Sequence, residues 1–215
     1  MRIYECEQGS EQWERIRRGK PTASNFSKII TPANLNLSKS HTKYACKLAA
    51  EIRHIESIPF PPTAAMERGI ELEPVAVEAY EKISGLKTEK VGFVHPDDTE
   101  DWGCSPDRLV YETNGEQNGI LEVKCPEIET VAMYHLTPKE VPSEYKLQVQ
   151  GQLWITGADW CDFFVYHPDL SEQMLVRVEP DEKVFDAFEI VMPTFVKQVR
   201  SIANRLKPVI DWEGF

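Results

Sequence analysis

Two short runs of alternating apolar and polar residues, joined by a turn-forming segment, constrain the fold of this chain more than any other feature. The first run covers residues 107–112 and the second covers residues 120–125. Alternation with a period of two is typical of β-strands. The connecting residues 113–119 contain two Asn-Gly pairs, which favour tight turns. The sequence therefore predicts an antiparallel β-hairpin.

This hairpin would bring three charged side chains together. Asp107 lies at the start of the first run, and Glu122 lies inside the second. Because successive side chains of a strand point to opposite faces, Glu122 and Lys124 share one face, whereas Leu121 and Val123 can point into a core. We therefore expect two carboxylates and one ammonium group on the same side of the hairpin.

Such a trio suits metal-assisted hydrolysis of a phosphodiester. Mg²⁺ prefers oxygen ligands and keeps several waters, so Asp107 and Glu122 could hold the ion. The metal would lower the pKa of a bound water and offset negative charge on the phosphorane, while Lys124 would orient that water. On the bare spacing alone, the more common interpretation is a solvated hairpin face that carries Glu-x-Lys without any catalytic role.

Further segments decide between these interpretations, because together they resemble one family in their order along the chain. The chain is similar to phage lambda exonuclease and the YqaJ-type viral recombinase nucleases, which belong to the PD-(D/E)xK superfamily. The resemblance runs through residues 13–19, 22–24, 69–73, 104–107, 121–126 and 148–150. It implies an α/β fold of the restriction-endonuclease type, with a mixed central β-sheet flanked by helices. We expect one domain over residues 1–215, since the composition changes nowhere as it would at a linker.

The resemblance also assigns the metal site. It implies that Asp107, Glu122, Val123 and Glu73 bind metal and that Gln148 lies beside them, where its amide could orient water or a carboxylate. Two Mg²⁺ ions are expected, with Mn²⁺ as an alternative. The five residues that this predicts as catalytic are Asp107, Glu122, Lys124, Glu73 and Gln148.

Glu73 lies within a helical pattern over residues 63–83. Pro74 predicts a break in that helix, which could lift the Glu73 carboxylate toward a metal. From the pattern alone, Glu73 would be an ordinary surface acid, and the resemblance reverses this interpretation. Met66, at the start of the helix, matches the family's wedge between separated DNA strands, although such a methionine is more often part of a core.

The net charge of -11 opposes binding of a polyanion over the whole surface, but the charge is unevenly distributed. Residues 1–56 contain ten Lys or Arg and six Asp or Glu, so the excess of acids lies in the rest of the chain. A basic cluster of Arg15, Arg17, Arg18 and Lys20 precedes a turn of small residues. Phosphate contact and an ordinary solvated helix surface explain the charge equally well.

The same region predicts two short helices, the first capped by Ser10 and ended by Gly19, and the second capped by Thr22 or Ser24. Backbone amides and hydroxyls at a helix N-terminus, together with an arginine, suit a phosphate dianion. The resemblance places a pocket for the 5′-terminal phosphate of DNA on Arg17, Ser24 and Ser105.

The remaining patterns predict scaffold elements. A helix is expected over residues 143–156 with Gln148 and Gln152 on one face, followed by strands over 160–167 and 174–179 and a long helix over 181–207. The five cysteines are scattered and predict neither disulfides, structural zinc nor an iron–sulfur cluster. Cys104 and Cys125 are expected to pack behind the strands. The histidines lack ligand spacing, and no glycine-rich phosphate loop predicts ATP hydrolysis.

The sequence thus predicts an exonuclease that digests the 5′-ended strand of duplex DNA, releases mononucleotides and leaves 3′ single-stranded tails. The resemblance implies a ring-shaped homotrimer and a single-strand annealing protein as partner. Without a membrane span or signal peptide, we expect a cytosolic protein of phage or prophage origin in a bacterial host.

The alternatives to this function are an endonuclease or junction resolvase of the same fold and a catalytically silent DNA-binding subunit. Asn34 stands where the lambda enzyme has an arginine that grips the downstream duplex, and Lys39 or Lys43 could replace it.

Overall fold

A computed structural model describes residues 1–54, 63–112, 115, 117–137 and 139–207 of the chain. Its strands are β1 (Arg2–Tyr4), β2 (Lys87–Lys90), β3 (Phe93–His95), β4 (Arg108–Tyr111), β5 (Gln117–Lys124), β6 (Trp160–Val165) and β7 (Met174–Val178). Its α-helices are α1 (Glu11–Arg17), α2 (His41–Ile52), α3 (Ala64–Ser84), α4 (Ile128–Tyr134), α5 (Ser143–Thr156) and α6 (Glu182–Arg205), and residues Ala23–Lys28 form a 3-10 helix.

Five strands form the central sheet in the order β2-β4-β5-β6-β7. β5 and β6 are parallel, because α4 and α5 return the chain to the same end of the sheet, and the other neighbours are antiparallel. The predicted hairpin is confirmed: β4 pairs with β5, and Arg108 lies opposite Leu121. In the predicted turn, residues 113, 114 and 116 lie outside the described part of the chain.

Helices cover both faces of the sheet, as expected for the fold class. On one face, Ile120 and Phe163 are buried in a core that includes side chains of α2, α5, α6 and the 3-10 helix. On the other face, Leu121 and Val123 pack against Tyr80 of α3. The alternation predicted for the second run is therefore confirmed, and Glu122 points to the α5 side of the sheet.

Two local predictions need correction. α3 runs through Pro74 without a break, since the proline removes only one N–H donor of a helix whose inner face packs on β5. Residues Ala23–Lys28 form a 3-10 helix instead of an α-helix, and the Thr22 side chain makes no capping bond because it contacts Ser24 and Asn25 instead. The helix predicted over residues 143–156 is confirmed as α5, and its N-cap is Pro142.

Two predicted helix ends are confirmed. Ser10 caps α1 by accepting a hydrogen bond from the Trp13 amide, and Gly157 ends α5 in a left-handed conformation. Cys104 and Cys125 are buried, as expected. In the described ranges, the helices are all too short or too polar to cross a membrane.

Candidate active site

The β4-β5 hairpin brings Asp107 and Glu122 to adjacent positions. Asp107 directly precedes β4, and its amide donates to the carbonyl oxygen of Leu121 at 3.1 Å. Its carboxylate accepts a hydrogen bond from the Val123 amide, with 2.6 Å between Oδ2 and the nitrogen. Asp107 is thus tied to the backbone on both sides of Glu122, which fixes the position of its carboxylate.

Glu122 is almost completely buried, with 2% of its surface exposed. Its Oε1 accepts hydrogen bonds from Lys124 Nζ and Gln148 Nε2, each at 2.5 Å, and its Oε2 accepts one from Gln152 Nε2 at 2.6 Å. Gln148 and Gln152 lie one turn apart on α5, so both can reach the same carboxylate. A buried carboxylate is costly unless it is paired and hydrogen-bonded, and these three donors meet that requirement.

The charges of the site depend strongly on one another. Burial and the neighbouring Glu122 raise the pKa of Asp107 well above its ordinary value, against the opposing effect of Lys124. Burial opposes the positive charge of Lys124, but Glu122 and Asp107 outweigh it and raise the pKa of this lysine. The Lys124 ammonium also lies 4.8 Å from the centre of the Tyr145 ring. Lys124 is therefore a fixed cation beside two carboxylates that repel each other.

Glu73 approaches the hairpin from α3 but is engaged by Arg108. Nη1 of Arg108 lies 2.6 Å from Glu73 Oε1 and donates to the Asp107 carbonyl oxygen at the same distance. Within the described ranges, three or more His, Cys, Asp or Glu side chains nowhere come close enough together to hold a metal. Glu73, the expected third acid of the site, is thus linked to Asp107 by Arg108. The Glu73 carboxylate does not form a metal-binding cluster with the other two acids.

The donor set nevertheless fits a hard divalent cation. Asp107 and Glu122 offer carboxylate oxygens whose mutual repulsion a cation would relieve. Burial raises the pKa of Cys104 well above its ordinary value and that of Cys125 to about 11, so both thiols are protonated near neutral pH in the metal-free protein. Oxygen ligands without thiolates favour Mg²⁺ or Mn²⁺ over zinc.

A cavity of about 130 Å³ is lined by Gln148, Gln152 and the residues predicted to bind phosphate. Arg17 from α1, Ser24 from the 3-10 helix and Ser105 from the segment before β4 all line it. Residues far apart in sequence thus meet in one small cavity. Because Gln148 also contacts Glu122, the cavity and the carboxylates share a wall.

The sequence assigned no role to Trp13, yet this residue links two walls of the cavity. Its indole Nε1 donates to Ser105 Oγ at 2.8 Å, and the Arg17 guanidinium lies 3.9 Å from the centre of its ring. The spacing of four residues between Trp13 and Arg17 on a predicted helix was the signal for their contact. The partnership with Ser105 had no such signal.

The rest of the predicted basic cluster points elsewhere. Arg15 pairs with Glu11 at 2.7 Å, Arg18 contacts the His54 ring, and Lys20 contacts the buried His95. Only Arg17 of this cluster lines the cavity. Met66 lies in the first turn of α3 with 59% of its surface exposed, so it is not a core residue.

The fold of this chain is similar to those of several solved exonuclease structures. The alkaline exonuclease LHK-Exo from Laribacter hongkongensis has a similar fold, with a TM-score of 0.78 and 30% sequence identity over 91% of this chain and 95% of that one. Its structure in complex with dAMP gives a TM-score of 0.79 and 31% identity over 92% and 96% of the two chains. A phage-related exonuclease from Haemophilus somnus 129PT shares the fold at a TM-score of 0.59 and 17% identity over 86% and 94%. The fold is that of the alkaline exonucleases.

The family follows from the sequence comparison. The model of the YqaJ-like viral recombinase domain matches residues 12–159, and the chain belongs to this family. No curated protein matches the chain. Family and fold together support a nuclease function on DNA, in agreement with the resemblance noted from the sequence.

Proposed function

We propose that this protein is a metal-dependent exonuclease that digests the 5′-ended strand of linear double-stranded DNA. It releases mononucleotides and leaves 3′ single-stranded tails for recombination by strand annealing. The observation that carries the proposal is the shared wall between the cavity of Arg17, Ser24 and Ser105 and the buried carboxylate of Glu122. A terminal phosphate held in that cavity places the first phosphodiester beside the carboxylates.

The cavity has the chemistry of a phosphate site. A guanidinium and two hydroxyls are strong donors to phosphate oxygens, and an arginine offers several of them in a fixed plane. Arg17 is kept in place by Trp13, whose ring it covers. A volume of about 130 Å³ suits a small anionic group better than a whole nucleotide. The proposal therefore assigns the terminal phosphate to this cavity and leaves the base outside.

The carboxylate site would hold the metal. Asp107, Glu122 and Glu73, with Val123 of β5, would bind two Mg²⁺ ions or Mn²⁺, which would supply a water of lowered pKa and stabilise negative charge. Lys124, already fixed as a cation by its neighbours, would orient that water and would stabilise charge on the phosphorane. Gln148 holds the Oε1 atom of Glu122 so that the carboxylate keeps one orientation.

The related enzyme LHK-Exo binds dAMP, a nucleoside monophosphate, which supports release of mononucleotides. The exposed Met66 could act as the wedge between the DNA strands, since an apolar side chain in water gains from contact with a base. The family relationship supports a homotrimeric ring, a single-strand annealing protein as partner and a cytosolic location in a bacterial host of phage or prophage.

The first test is digestion of one linear duplex, labelled at either end, with and without Mg²⁺. We expect loss of the 5′ label as a mononucleotide, dependence on Mg²⁺ and survival of covalently closed circles. Efficient cutting of closed circles would contradict the exonuclease and favour an endonuclease of the same fold. An inert protein with every divalent ion would favour a DNA-binding subunit.

The second test concerns the catalytic lysine. Replacement of Lys124 by Met removes the fixed cation and should lower the rate by about 100-fold or more, the usual cost of losing a group that stabilises transition-state charge. The matched control is Lys90→Met, because Lys90 is an exposed lysine at the end of β2 in the same sheet. Equal rates in both variants would remove Lys124 from the site.

The third test concerns the phosphate cavity. Arg17→Ala should lower the ratio of the rates on 5′-phosphate and 5′-hydroxyl ends by about 10-fold to 100-fold, as expected for a lost hydrogen bond to a charged group. Arg15→Ala is the control, since Arg15 lies on the same helix and pairs with Glu11 outside the cavity. An unchanged ratio in Arg17→Ala would contradict the assignment of the cavity.

A further inference from the structure

Gln152 is a buried glutamine with one end unpaired. Only 2% of its surface is exposed, and its Nε2 donates to Glu122 Oε2 at 2.6 Å. The oxygen of its side-chain amide, Oε1, is also buried, yet it has no hydrogen-bond partner in the described part of the chain. A buried acceptor without a donor costs stability, so an unpaired one in a functional cavity indicates a ligand.

Gln150 shows what a structural glutamine looks like in the same helix. It is also buried, with 8% of its surface exposed, but both ends of its amide are paired. Its Nε2 donates to the Glu179 carbonyl oxygen at 2.9 Å, and its Oε1 accepts from the Asp181 amide at 2.9 Å. Buried glutamines of α5 therefore do not in general have an unpaired side-chain oxygen, and Gln152 differs from Gln150 in this respect.

The position of Gln152 explains the difference. This residue lines the cavity of Arg17, Ser24 and Ser105, and it also contacts Glu122. Arg17 has no acceptor, and the hydroxyls of Ser24 and Ser105 already accept hydrogen bonds from Asn25 and Trp13, so Gln152 Oε1 is the acceptor among these four residues that still lacks a donor. Gln152 is thus part of the wall between the cavity and the Glu122 carboxylate.

We propose that Gln152 positions Glu122 for metal binding and that its Oε1 atom accepts a hydrogen bond from a water bound to the phosphate group in the cavity. Among the described residues, Oε1 of Glu122 already accepts two hydrogen bonds, whereas Oε2 accepts only the one from Gln152. Oε2 therefore keeps an acceptor position for a cation, and Gln152 fixes the rotation of the carboxylate that presents it. This inference rests on the proposed function, because it assumes that Glu122 binds metal.

The first experiment measures Mn²⁺ binding to the full chain without DNA, by electron paramagnetic resonance of the free ion. Gln152→Met keeps the length of the side chain but removes its hydrogen bonds, and it should weaken Mn²⁺ binding by about 10-fold or more, the usual cost of losing a group that orients a metal ligand. The matched control is Gln150→Met, which removes two hydrogen bonds from the same helix and should bind Mn²⁺ like the parent. Thermal unfolding of both variants identifies losses of stability.

The outcomes separate this inference from the proposed function. If the parent binds Mn²⁺ and Gln152→Met binds it equally well, the positioning role is overturned while the nuclease proposal stands. If Gln150→Met weakens Mn²⁺ binding as much as Gln152→Met, the effect is structural and the inference is also overturned. A parent that binds no Mn²⁺ overturns both proposals. Should Gln152→Met not fold, Gln152→Asn decides, because its shorter amide no longer spans from α5 to Glu122 and should weaken Mn²⁺ binding in the same direction.

The second experiment addresses the Oε1 end of the Gln152 side chain, with inorganic phosphate as the probe. Phosphorus NMR titration should show weaker phosphate binding in Gln152→Met, by about fivefold for one lost hydrogen bond, and parent affinity in Gln150→Met. Unchanged phosphate affinity in Gln152→Met would overturn the contact with the cavity ligand.

Discussion

Arg108 holds Glu73 in an ion pair, with 2.6 Å between Nη1 and Oε1, while the same nitrogen donates to the carbonyl oxygen of Asp107. One guanidinium therefore bridges the acid on α3 and the acid on the hairpin. The pair is partly exposed, since 12% of the Arg108 side chain and 30% of the Glu73 side chain are exposed. A metal that uses Glu73 has to compete with this arginine.

Removal of Arg108 should consequently strengthen metal binding to the free protein. In Arg108→Met, Mn²⁺ binding should tighten by about fivefold, which corresponds to about 1 kcal/mol for a partly exposed ion pair. Mn²⁺ titration by electron paramagnetic resonance measures the change. The double variant Glu73→Gln, Arg108→Met is the control: if the gain persists without the Glu73 carboxylate, Glu73 is not a ligand and only the lost positive charge matters.

Trp13 should contribute to the preference for 5′-phosphate ends. Trp13→Phe keeps an aromatic ring under Arg17 but loses the donor to Ser105, so the ratio of rates on 5′-phosphate and 5′-hydroxyl ends should fall by about fivefold, the cost of one hydrogen bond. Trp13→Ala should lower it further. Trp160→Phe is the control, because Arg177 covers that ring at 3.6 Å outside the cavity. An equal effect of Trp160→Phe would show that the change is not local.

Gly151 allows α5 to contact the 3-10 helix closely. A Cβ atom at this position would lie 2.6 Å from the Phe26 ring, so Gly151→Ala should lower the free energy of unfolding by about 1–3 kcal/mol through overpacking. Gly69→Ala, also in a helix but with open space at the Cβ position, should raise it by about 0.5–1 kcal/mol. Urea unfolding of both variants measures the difference. Equal changes would contradict the close packing at Gly151.

Cysteine labelling should follow burial. Cys46 is exposed and should react first with iodoacetamide, whereas burial raises the pKa of Cys125 to about 11. Because the thiolate is the reactive form, the labelling rate of Cys125 should rise by about tenfold per pH unit between about pH 7 and pH 9, without a plateau. Mass spectrometry of timed samples gives the rate at each cysteine. A plateau for Cys125 in this range would contradict the raised pKa.

The sequence predicted those parts of the fold that depend on local periodicity. The β4-β5 hairpin follows from alternation and Asn-Gly pairs, and the bounds of α5 follow from its apolar spacing and Gly157. Pro74 misled the prediction, since the packing of α3 on the sheet outweighs one missing hydrogen bond. The type of the helix at residues 23–28 was also not predicted, for a similar reason. Its side chains pack against α5, and the local pattern carries no information on that partner.

In the candidate site, contacts within one hairpin could be predicted from the sequence, whereas contacts between distant elements could not. Asp107, Glu122 and Lys124 share a hairpin, so strand geometry alone places them together. Trp13 and Ser105 are 92 positions apart, and their hydrogen bond depends on how α1 packs beside β3 and the segment before β4. Arg108 also escaped the sequence analysis, because its pairing with Glu73 joins two elements whose contact only the fold determines.

The packing of α5 has a consequence for the length of the product. Gln148 and Gln152 hold Glu122 and line the cavity at the same time, so one rigid turn of helix determines how far the two sites are separated. In the proposed enzyme, that separation sets how many nucleotides leave in each cycle. A change that moves the cavity relative to α5 would therefore alter the size of the released fragment before it abolished cleavage.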